Sequence, residues 1–179
     1  LLEAWCTENL VPWQKTGKWI IAQKDEEREL HALMANAQAS GATGLRWMTR
    51  GVIDKNLPQF VGHCALFSES TGIVDPYLLT ASLIKRAEAK GATVLVNTTV
   101  RQIEALRTGN YLVETSRGKI QTELVFNAAG LCSDQIASLV GINRYQIFPW
   151  RGDYFRVNRP LGLNTLVYPT KKKGDAGLG

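Results

Sequence analysis

Residues 123–141 read ELVFNAAGLCSDQIASLVG, and this stretch decides how the fold is interpreted. The apolar run at residues 124–126 predicts a buried strand, and Ser133 and Gly141 are suitable residues to begin and end a helix. Three small residues, Ala128 to Gly130, separate the two elements. They either let a helix pack closely on a strand or let a large anionic ligand approach the backbone near the helix start.

The residues before this stretch predict half of a crossover unit followed by a β-meander. Asp75 and Pro76 begin a helix that Gly91 ends, and TVLV at residues 93–96 predicts a second buried strand. VRQIEAL, YLVETS and KIQTE are then three short strands separated by turn sequences. This order is typical of the middle of a dinucleotide-binding α/β domain, where ligands lie beyond the carboxyl ends of strands. It favours ligand approach at residues 128–130.

The two ends of the chain follow another pattern. GKWII predicts a strand, and residues 25–40 predict a helix with Asp25 as its N-cap. LRWM, FVGHCALF, both halves of QIFPWRGDYFRV, and LNTLVYP are further strand-forming runs. These strands do not alternate regularly with helices, so we expect them to form a mixed or antiparallel sheet in a second domain.

The composition of the 179 residues is that of a globular protein, with 45% apolar and 21% charged residues. No apolar run is long enough for a membrane span, although peripheral association with a membrane stays open. The net charge of +5 includes Lys171, Lys172 and Lys173, but no basic stripe interleaves with aromatics, so nucleic-acid binding is not expected. The sequence opens without Met, and we expect it to be part of a longer protein.

Cysteine and histidine give no metal or catalytic motif. The three cysteines are widely spaced, which predicts buried thiols in a reducing, cytoplasmic compartment and neither a disulfide framework nor a metal site. His63 and Cys64 are adjacent on a predicted strand and so point to opposite faces, which disfavours a nucleophilic pair. His31 is predicted to be a surface residue. No residue stands out as a catalytic base.

Five segments together resemble the FAD-dependent oxidoreductases of the D-amino-acid-oxidase type, in particular their L-2-hydroxyglutarate dehydrogenase/oxidase branch. They are CTENLVPWQKTGKWIIAQ, ESTGIVDPYLLTASLIKRAEAKGATVLVNTTV, FNAAGLCSDQIASLVG, FPWRGDYFRV and LVYPTKKKGDAGLG. The resemblance implies an FAD-binding Rossmann-like domain with a meander crossover, interleaved with a mixed-sheet substrate domain. Residues 71–142 would belong to the first domain, and residues 1–70 and 143–179 to the second.

The resemblance also implies two sets of site residues. An arginine fork suits a substrate carboxylate, although an internal ion pair is the alternative role for the arginine and packing is the alternative for the tyrosines. The implied cofactor contacts are Val100, facing the adenine end of FAD, and Ala128, Ala129, Gly130 and Leu131 in the turn; the implied substrate contacts are Arg151, Tyr154 and Tyr168.

The implied reaction is hydride transfer from the α-carbon of a 2-hydroxy acid, such as L-2-hydroxyglutarate, to the flavin, with a separate electron acceptor. The alternatives are an amine, amino-acid or glycerol-3-phosphate oxidoreductase of the same fold, or a non-catalytic binding module. The G-x-G-x-x-G fingerprint that holds the FAD pyrophosphate is absent from these residues. We therefore expect this stretch alone to be inactive and to bind FAD weakly.

Overall fold

The computed structural model describes residues 1–170, and the chain divides into two compact units. The first unit contains Leu1–Lys90 and the segment from Tyr154 onward, and the second is Gly91–Asp153. The functional domains expected at residues 1–70, 71–142 and 143–179 stay a prediction. The loop expected at the end of the chain, with its basic run at residues 171–173, lies outside the described residues.

The elements of the first unit are α1 (Leu2–Glu8), β1 (Trp13–Lys15), β2 (Lys18–Ala22), α2 (Glu27–Ala39), β3 (Leu45–Thr49), α3 (Arg50–Asn56), β4 (Cys64–Ser68), β5 (Gly72–Val74), α4 (Pro76–Ala89) and β9 (Leu166–Pro169). Those of the second unit are β6 (Val100–Ala105), β7 (Tyr111–Thr115), β8 (Gly118–Thr122) and α5 (Ser133–Ser138). Short 3-10 turns cover Lys24–Glu26 and Gly130–Cys132.

A mixed four-stranded sheet organises the first unit, in the order β3-β4-β2-β9. The β3–β4 and β4–β2 pairs are antiparallel, whereas β9 joins β2 in parallel. The side-chain hydroxyls of Thr165 and Thr170 fasten β9 by donating to the carbonyls of Gly17 and Ile21, each at 3.1 Å. The mixed sheet expected from the sequence is therefore present, and its last strand comes from the far end of the described chain.

Helices cover both faces of this sheet. Residues along each strand alternate between the two faces, so each strand contributes side chains to the core on either side. Ile53 and Leu57, from α3 and the residue after it, pack with Trp19, Ile21 and Ala65 on one face. On the other face, Leu30 of α2 packs with Ala22, Cys64 and Leu66. Leu30, Ile53, Ala22 and Ala65 are fully buried, so this sheet is the best-packed part of the described chain.

Helix starts follow the sequence signals at α4 but not at α2. The Asp75 carboxylate accepts a hydrogen bond of 2.9 Å from the Leu78 amide, as expected for an N-cap. The expected Asp25 cap is wrong. The chain enters α2 through the 3-10 turn at Lys24–Glu26, and Gln23 is the capping residue of that turn. The backbone N–H of Gln23 donates to the Glu26 carboxylate at 2.9 Å. This reciprocal arrangement is a capping box.

The second unit is built on the expected meander. Its three strands pair in the order β6-β7-β8, antiparallel throughout, with a register shift between Val100 and Gln102. Gly109 lies in the first turn, with φ +85°, and Gly118 closes the second, with φ +138°. Both are backbone conformations that glycine adopts readily, which is why these turn sequences predict the hairpins well.

Four strand predictions, in three segments of the chain, are wrong. Residues 93–96 and 124–126 are irregular rather than buried strands, and Phe126 is 87% exposed. Both halves of QIFPWRGDYFRV, at residues 146–157, are also irregular. No strand of residues 1–170 pairs with any of these segments, so their backbone groups have no ladder to join. Apolar composition predicted burial, but a strand also requires a neighbouring strand.

Within residues 1–170, none of the helices combines the length and the apolar character needed to cross a bilayer.

Candidate functional site

The turn at residues 127–133 is held by one side chain. The Asn127 amide nitrogen donates to the Ser133 carbonyl at 2.7 Å, and the Asn127 amide oxygen accepts from the Ala129 backbone N–H at 3.2 Å. Sequence reasoning missed Asn127, although an asparagine that opens a turn and bonds to the backbone two residues later is a known signal. Asn127 thus joins both ends of the small-residue turn.

The backbone of this turn is open to approach. Gly130 has φ +56°, and a Cβ built on it would meet no atom of the described protein within 4 Å. Ala128 and Ala129 are exposed, and Leu131 is 69% exposed. Close packing of helix on strand, the alternative explanation for these small residues, is therefore not what the structure shows at Gly130.

Ser133 does not cap the following helix, contrary to expectation. The 3-10 turn at Gly130–Cys132 runs directly into α5, so Ser133 already has helical backbone angles (φ −65°, ψ −32°), and Cys132 precedes the helix without a side-chain cap bond. Asp134 serves this helix start instead. Its carboxylate accepts from the Gln135 amide at 2.8 Å and from the Ile147 amide at 3.0 Å, and these backbone hydrogen bonds lower its pKa.

Val100, the other expected cofactor contact, begins β6 in the same unit as the turn. It is half-buried and pairs with Thr115 across the ladder. Its position is fixed through Thr99, whose amide donates to the Ser116 hydroxyl at 3.0 Å and whose carbonyl accepts from the Ser116 amide at 2.8 Å. The structure shows how Val100 is held, and its contact with a cofactor stays a prediction.

Arg151 and Tyr154, two of the expected substrate contacts, are exposed. The Arg151 Nε donates to the Asp153 carboxylate at 2.9 Å, and the two side chains are 86% and 70% exposed. Tyr154 is 86% exposed. Arg151 therefore makes the internal ion pair that was the alternative to substrate binding. At such exposure a pair of this kind stabilises the fold little, so a substrate carboxylate can still compete for the guanidinium.

Tyr168, the third expected contact, is half-buried on β9. The ammonium nitrogen of Lys18 lies 5.6 Å from the centre of its ring. Sequence reasoning missed Lys18, and the only signal available is a charged residue at the start of the strand-forming run GKWII. A cavity of about 510 Å³ adjoins the ends of β2 and β9, lined by Ile21, Gln23, Glu26, Phe60, Val61, Val167, Tyr168, Pro169 and Thr170.

The two histidines are exposed and lie near the Glu27 carboxylate, whereas Cys64 is buried. The Nε2 atoms of His63 and His31 lie 3.6 and 3.8 Å from the Glu27 carboxylate, and His31 stacks on Trp47 with ring centres 4.1 Å apart. Burial, and secondarily the negative charge of Glu27, raise the pKa of the Cys64 thiol. A thiol kept protonated is a poor nucleophile, which agrees with a structural role. Within residues 1–170, no group of three acidic, His or Cys side chains has a metal-binding arrangement.

Comparison with known proteins decides the family. The family model described as "DAO: FAD dependent oxidoreductase" matches residues 1–178. The chain belongs to the DAO family of FAD-dependent oxidoreductases. The resemblance inferred from the five sequence segments is thereby confirmed, and FAD is the cofactor on which this family depends.

Two curated relatives carry the same name, L-2-hydroxyglutarate dehydrogenase. The L-2-hydroxyglutarate dehydrogenase of Indibacter alkaliphilus is 29% identical over 183 residues, covering 99% of this chain and 46% of the relative. The mitochondrial L-2-hydroxyglutarate dehydrogenase of Caenorhabditis briggsae is 33% identical over 169 residues, covering 89% of this chain and 39% of the relative. The chain thus spans less than half the length of these relatives.

A solved structure confirms the DAO fold class. The L-alpha-glycerophosphate oxidase of Mycoplasma pneumoniae, solved with FAD bound, superimposes with a TM-score of 0.72 at 20% sequence identity, covering 89% of this chain and 44% of that one. At this identity the likeness concerns the fold alone. The expected α/β architecture with a meander and a mixed sheet agrees with it.

The turn at residues 127–133 fits the approach of a group as large as FAD. Its backbone is exposed, its side chains at positions 128–130 are methyl groups or hydrogen, and the space above Gly130 is open. A dinucleotide cofactor that lies against backbone needs these features.

Proposed function

We propose that the intact protein is an FAD-dependent oxidoreductase that oxidises a 2-hydroxy acid, with L-2-hydroxyglutarate as the expected substrate. The observation that carries the proposal is the DAO-family match along residues 1–178, together with the shared name of the two curated relatives. The open turn at Gly130 supports a cofactor-binding role for this part of the chain. Because the chain covers under half of those relatives, activity and substrate are inferred for the whole protein.

The residues described here would position the reactants rather than perform the chemistry. When bound, FAD accepts the hydride that leaves the substrate α-carbon. Ala128, Ala129, Gly130 and Leu131 would lie against the cofactor, and Asn127 would keep their backbone in a fixed shape. Preorganisation of this kind lowers the conformational entropy lost on binding, so it contributes to affinity without adding a contact.

The substrate carboxylates require donors or cations within the same protein. Arg151, Tyr154 and Tyr168 are the residues proposed for this role, since guanidinium and phenol groups both donate to carboxylate oxygens. Among them, Tyr168 has the strongest support because it is half-buried, lies on a paired strand, and borders a cavity. Residues 1–170 contain no group that we assign as the catalytic base.

The direct test uses the full-length protein. We expect it to purify with a flavin absorption spectrum and to reduce an artificial electron-acceptor dye when given L-2-hydroxyglutarate. D-2-Hydroxyglutarate is the stereochemical control, and glycine and glycerol 3-phosphate test the amino-acid and glycerophosphate alternatives. Protein that binds no FAD would refute the flavoenzyme assignment. Flavoprotein that oxidises glycine or glycerol 3-phosphate faster than the hydroxy acid would refute the substrate assignment.

A further inference from the structure

Lys18 and Tyr168 form a cation–aromatic pair that has no counter-charge among residues 1–170. The Lys18 ammonium lies 5.6 Å from the centre of the Tyr168 ring, and both residues are half-buried. Among residues 1–170, no carboxylate lies within ion-pair distance of Lys18, and none of these residues forms a hydrogen bond with the Tyr168 hydroxyl. The Lys18 ammonium and the Tyr168 phenol are thus both available to an acceptor from outside the described residues.

The register of the sheet fixes this pair. Lys18 and Ile20 pair with Leu166 and Tyr168 on adjacent parallel strands, and positions two residues apart share a face of the sheet. Lys18 and Tyr168 are therefore diagonal neighbours on one face, close enough for long side chains to meet. A ligand there would be held by strands that pack in the core of the first unit, and rigid elements position ligands more accurately than loops do.

A second cation–aromatic pair on the same sheet provides a contrast. The guanidinium of Arg46 lies 5.2 Å from the centre of the Phe67 ring, and its nitrogen is 3.6 Å from the Glu69 carboxylate. Arg46 is thus neutralised by its own protein, and Phe67 has no polar atom to offer. Of these two pairs, only the Lys18 pair has a hydroxyl donor together with a cation that lacks a carboxylate partner among residues 1–170.

We propose that Lys18 and Tyr168 together bind a carboxylate of the substrate. The inference rests on the proposed function for the nature of the ligand, since a 2-hydroxy diacid carries two carboxylates and Tyr168 is already a proposed substrate contact. An ammonium and a phenol donate to the two oxygens of one carboxylate, and such charge-assisted hydrogen bonds are stronger than neutral ones. Lys18 then determines preference for acidic substrates without taking part in hydride transfer.

The kinetic test compares four variants of the full-length protein. Lys18→Met removes the charge but retains the aliphatic stem, Lys18→Arg retains the charge, and Tyr168→Phe removes only the hydroxyl. Arg46→Met is the matched control because it removes the other cation from an aromatic ring. We expect Lys18→Met to raise KM for L-2-hydroxyglutarate by about 10- to 100-fold, with little change in kcat. Lys18→Arg should recover most of the loss, and Arg46→Met should resemble the wild type.

Comparison of a diacid with a monoacid shows which carboxylate is bound. If Lys18→Met raises KM only for L-2-hydroxyglutarate, the pair binds the carboxylate remote from the reacting carbon. If Lys18→Met raises KM equally for L-2-hydroxybutyrate, the pair binds the carboxylate adjacent to that carbon. Either result supports the proposal. An unchanged KM in both Lys18→Met and Tyr168→Phe, with folding and flavin content intact, would overturn it and leave the pair with a packing role.

Glutarate binding separates failure of this inference from failure of the proposed function. If the wild-type protein oxidises no hydroxy acid, the substrate proposal fails, but calorimetric titration with glutarate at fixed ionic strength still examines the pair. Binding that Lys18→Met weakens and Lys18→Arg retains would support an anion site. No glutarate binding, or equal binding by all variants, would overturn it. If Lys18→Met does not fold, Tyr168→Phe decides by the same measurements: a raised KM and weaker glutarate binding support the proposal, and wild-type values overturn it.

Discussion

Gly130 and Asn127 contribute to the same turn in different ways. Gly130 supplies a left-handed conformation and leaves open space, whereas Asn127 supplies two hydrogen bonds that fix the backbone. Ligand approach at this turn could be predicted from the sequence, because residues 128–130 have small side chains that leave room beside the backbone. The role of Asn127 was missed although a local signal for it exists, since its amide oxygen accepts from the backbone two residues later. The Lys18–Tyr168 pair was not predicted because only folding brings these two residues together.

Gly130→Ala should lower FAD occupancy of the full-length protein. Its φ of +56° makes any side chain cost about 1–2 kcal/mol, so a strain control is needed. Gly141→Ala is that control, because Gly141 has φ +80° and open space in the same unit. We expect both variants to lose similar thermal stability, and only Gly130→Ala to lose flavin absorbance. Equal flavin content in the two would refute cofactor approach at Gly130.

Asn127→Ala should also weaken FAD binding, by loosening the turn rather than by filling it. Loss of two local hydrogen bonds should raise the Kd for FAD by about 3- to 100-fold. Asn127→Asp keeps the acceptor for Ala129 but loses the donor to Ser133, so we expect an intermediate Kd. Flavin-fluorescence titration of the apoprotein measures all three. Wild-type affinity for FAD in Asn127→Ala would show that the turn keeps its shape without the two Asn127 hydrogen bonds.

At the scale of elements, local and distant strand pairing differ in how well the sequence predicts them. The meander β6–β8 was predicted because neighbouring strands are joined by turns that the sequence encodes. Residues 93–96 and 124–126 were predicted as buried strands from composition alone, and composition does not say whether a partner strand is present. The parallel pairing of β9 with β2 was not predicted, since nothing local indicates which strand it joins.

Asp134 connects α5 to the segment that follows it, and this connection should depend on pH. Backbone hydrogen bonds lower the pKa of Asp134 below its ordinary value of 3.8, so the stabilisation is present above pH 3.8 and is lost as pH falls through the lower, folded-state value. Asp134→Asn should lower the protection factor of the Ile147 amide at neutral pH, and protonation of Asp134 in acid should lower the same factor in the wild type, each relative to the intrinsic exchange rate at that pH. Hydrogen exchange measured by NMR or mass spectrometry reports this.

Asp25→Asn is the control for the Asp134 measurement, since Asp25 lies in a different unit of the chain. It should leave exchange at Ile147 unchanged. A protection factor at Ile147 that changes neither with Asp134→Asn nor with acid would mean that the hydrogen bond at 3.0 Å does not hold the segment.

At the scale of the whole molecule, the order of motifs predicted more than any one motif. Helix, meander, small-residue turn and helix predicted a dinucleotide-binding α/β domain, and the five segments in this order resembled the family that the comparison confirms, while single motifs such as Ala-Ala-Gly left two explanations open. The division into compact units was harder to predict, since contacts place α4 in the first unit with α1, whose Trp5 indole donates to Ser82 at 2.9 Å. That hydrogen bond joins residues with no sequence signal in common.

Cys64 should make the stability of the protein sensitive to alkaline pH. Burial raises its pKa above the ordinary value of 9.0, so its contribution to the free energy of unfolding is complete below pH 9 and is lost as pH rises through the folded-state value. Denaturant unfolding of the full-length protein between pH 8 and 11 should show this decline. Cys64→Ala should reduce the decline, whereas Cys132→Ala, at an exposed cysteine, should not. Identical pH profiles in all three proteins would contradict the assignment.

The parallel β2–β9 pair also has a consequence for the order of events during synthesis. Gly17 and Thr165, which hydrogen-bond beside these strands, are 148 residues apart. A ribosome that adds about 5–20 residues per second needs roughly 7–30 s to cover that distance. During this interval β2 can pair with β4, while its other edge exposes unpaired backbone groups to other nascent chains and to chaperones. The first unit can therefore complete its sheet only after the second has left the ribosome.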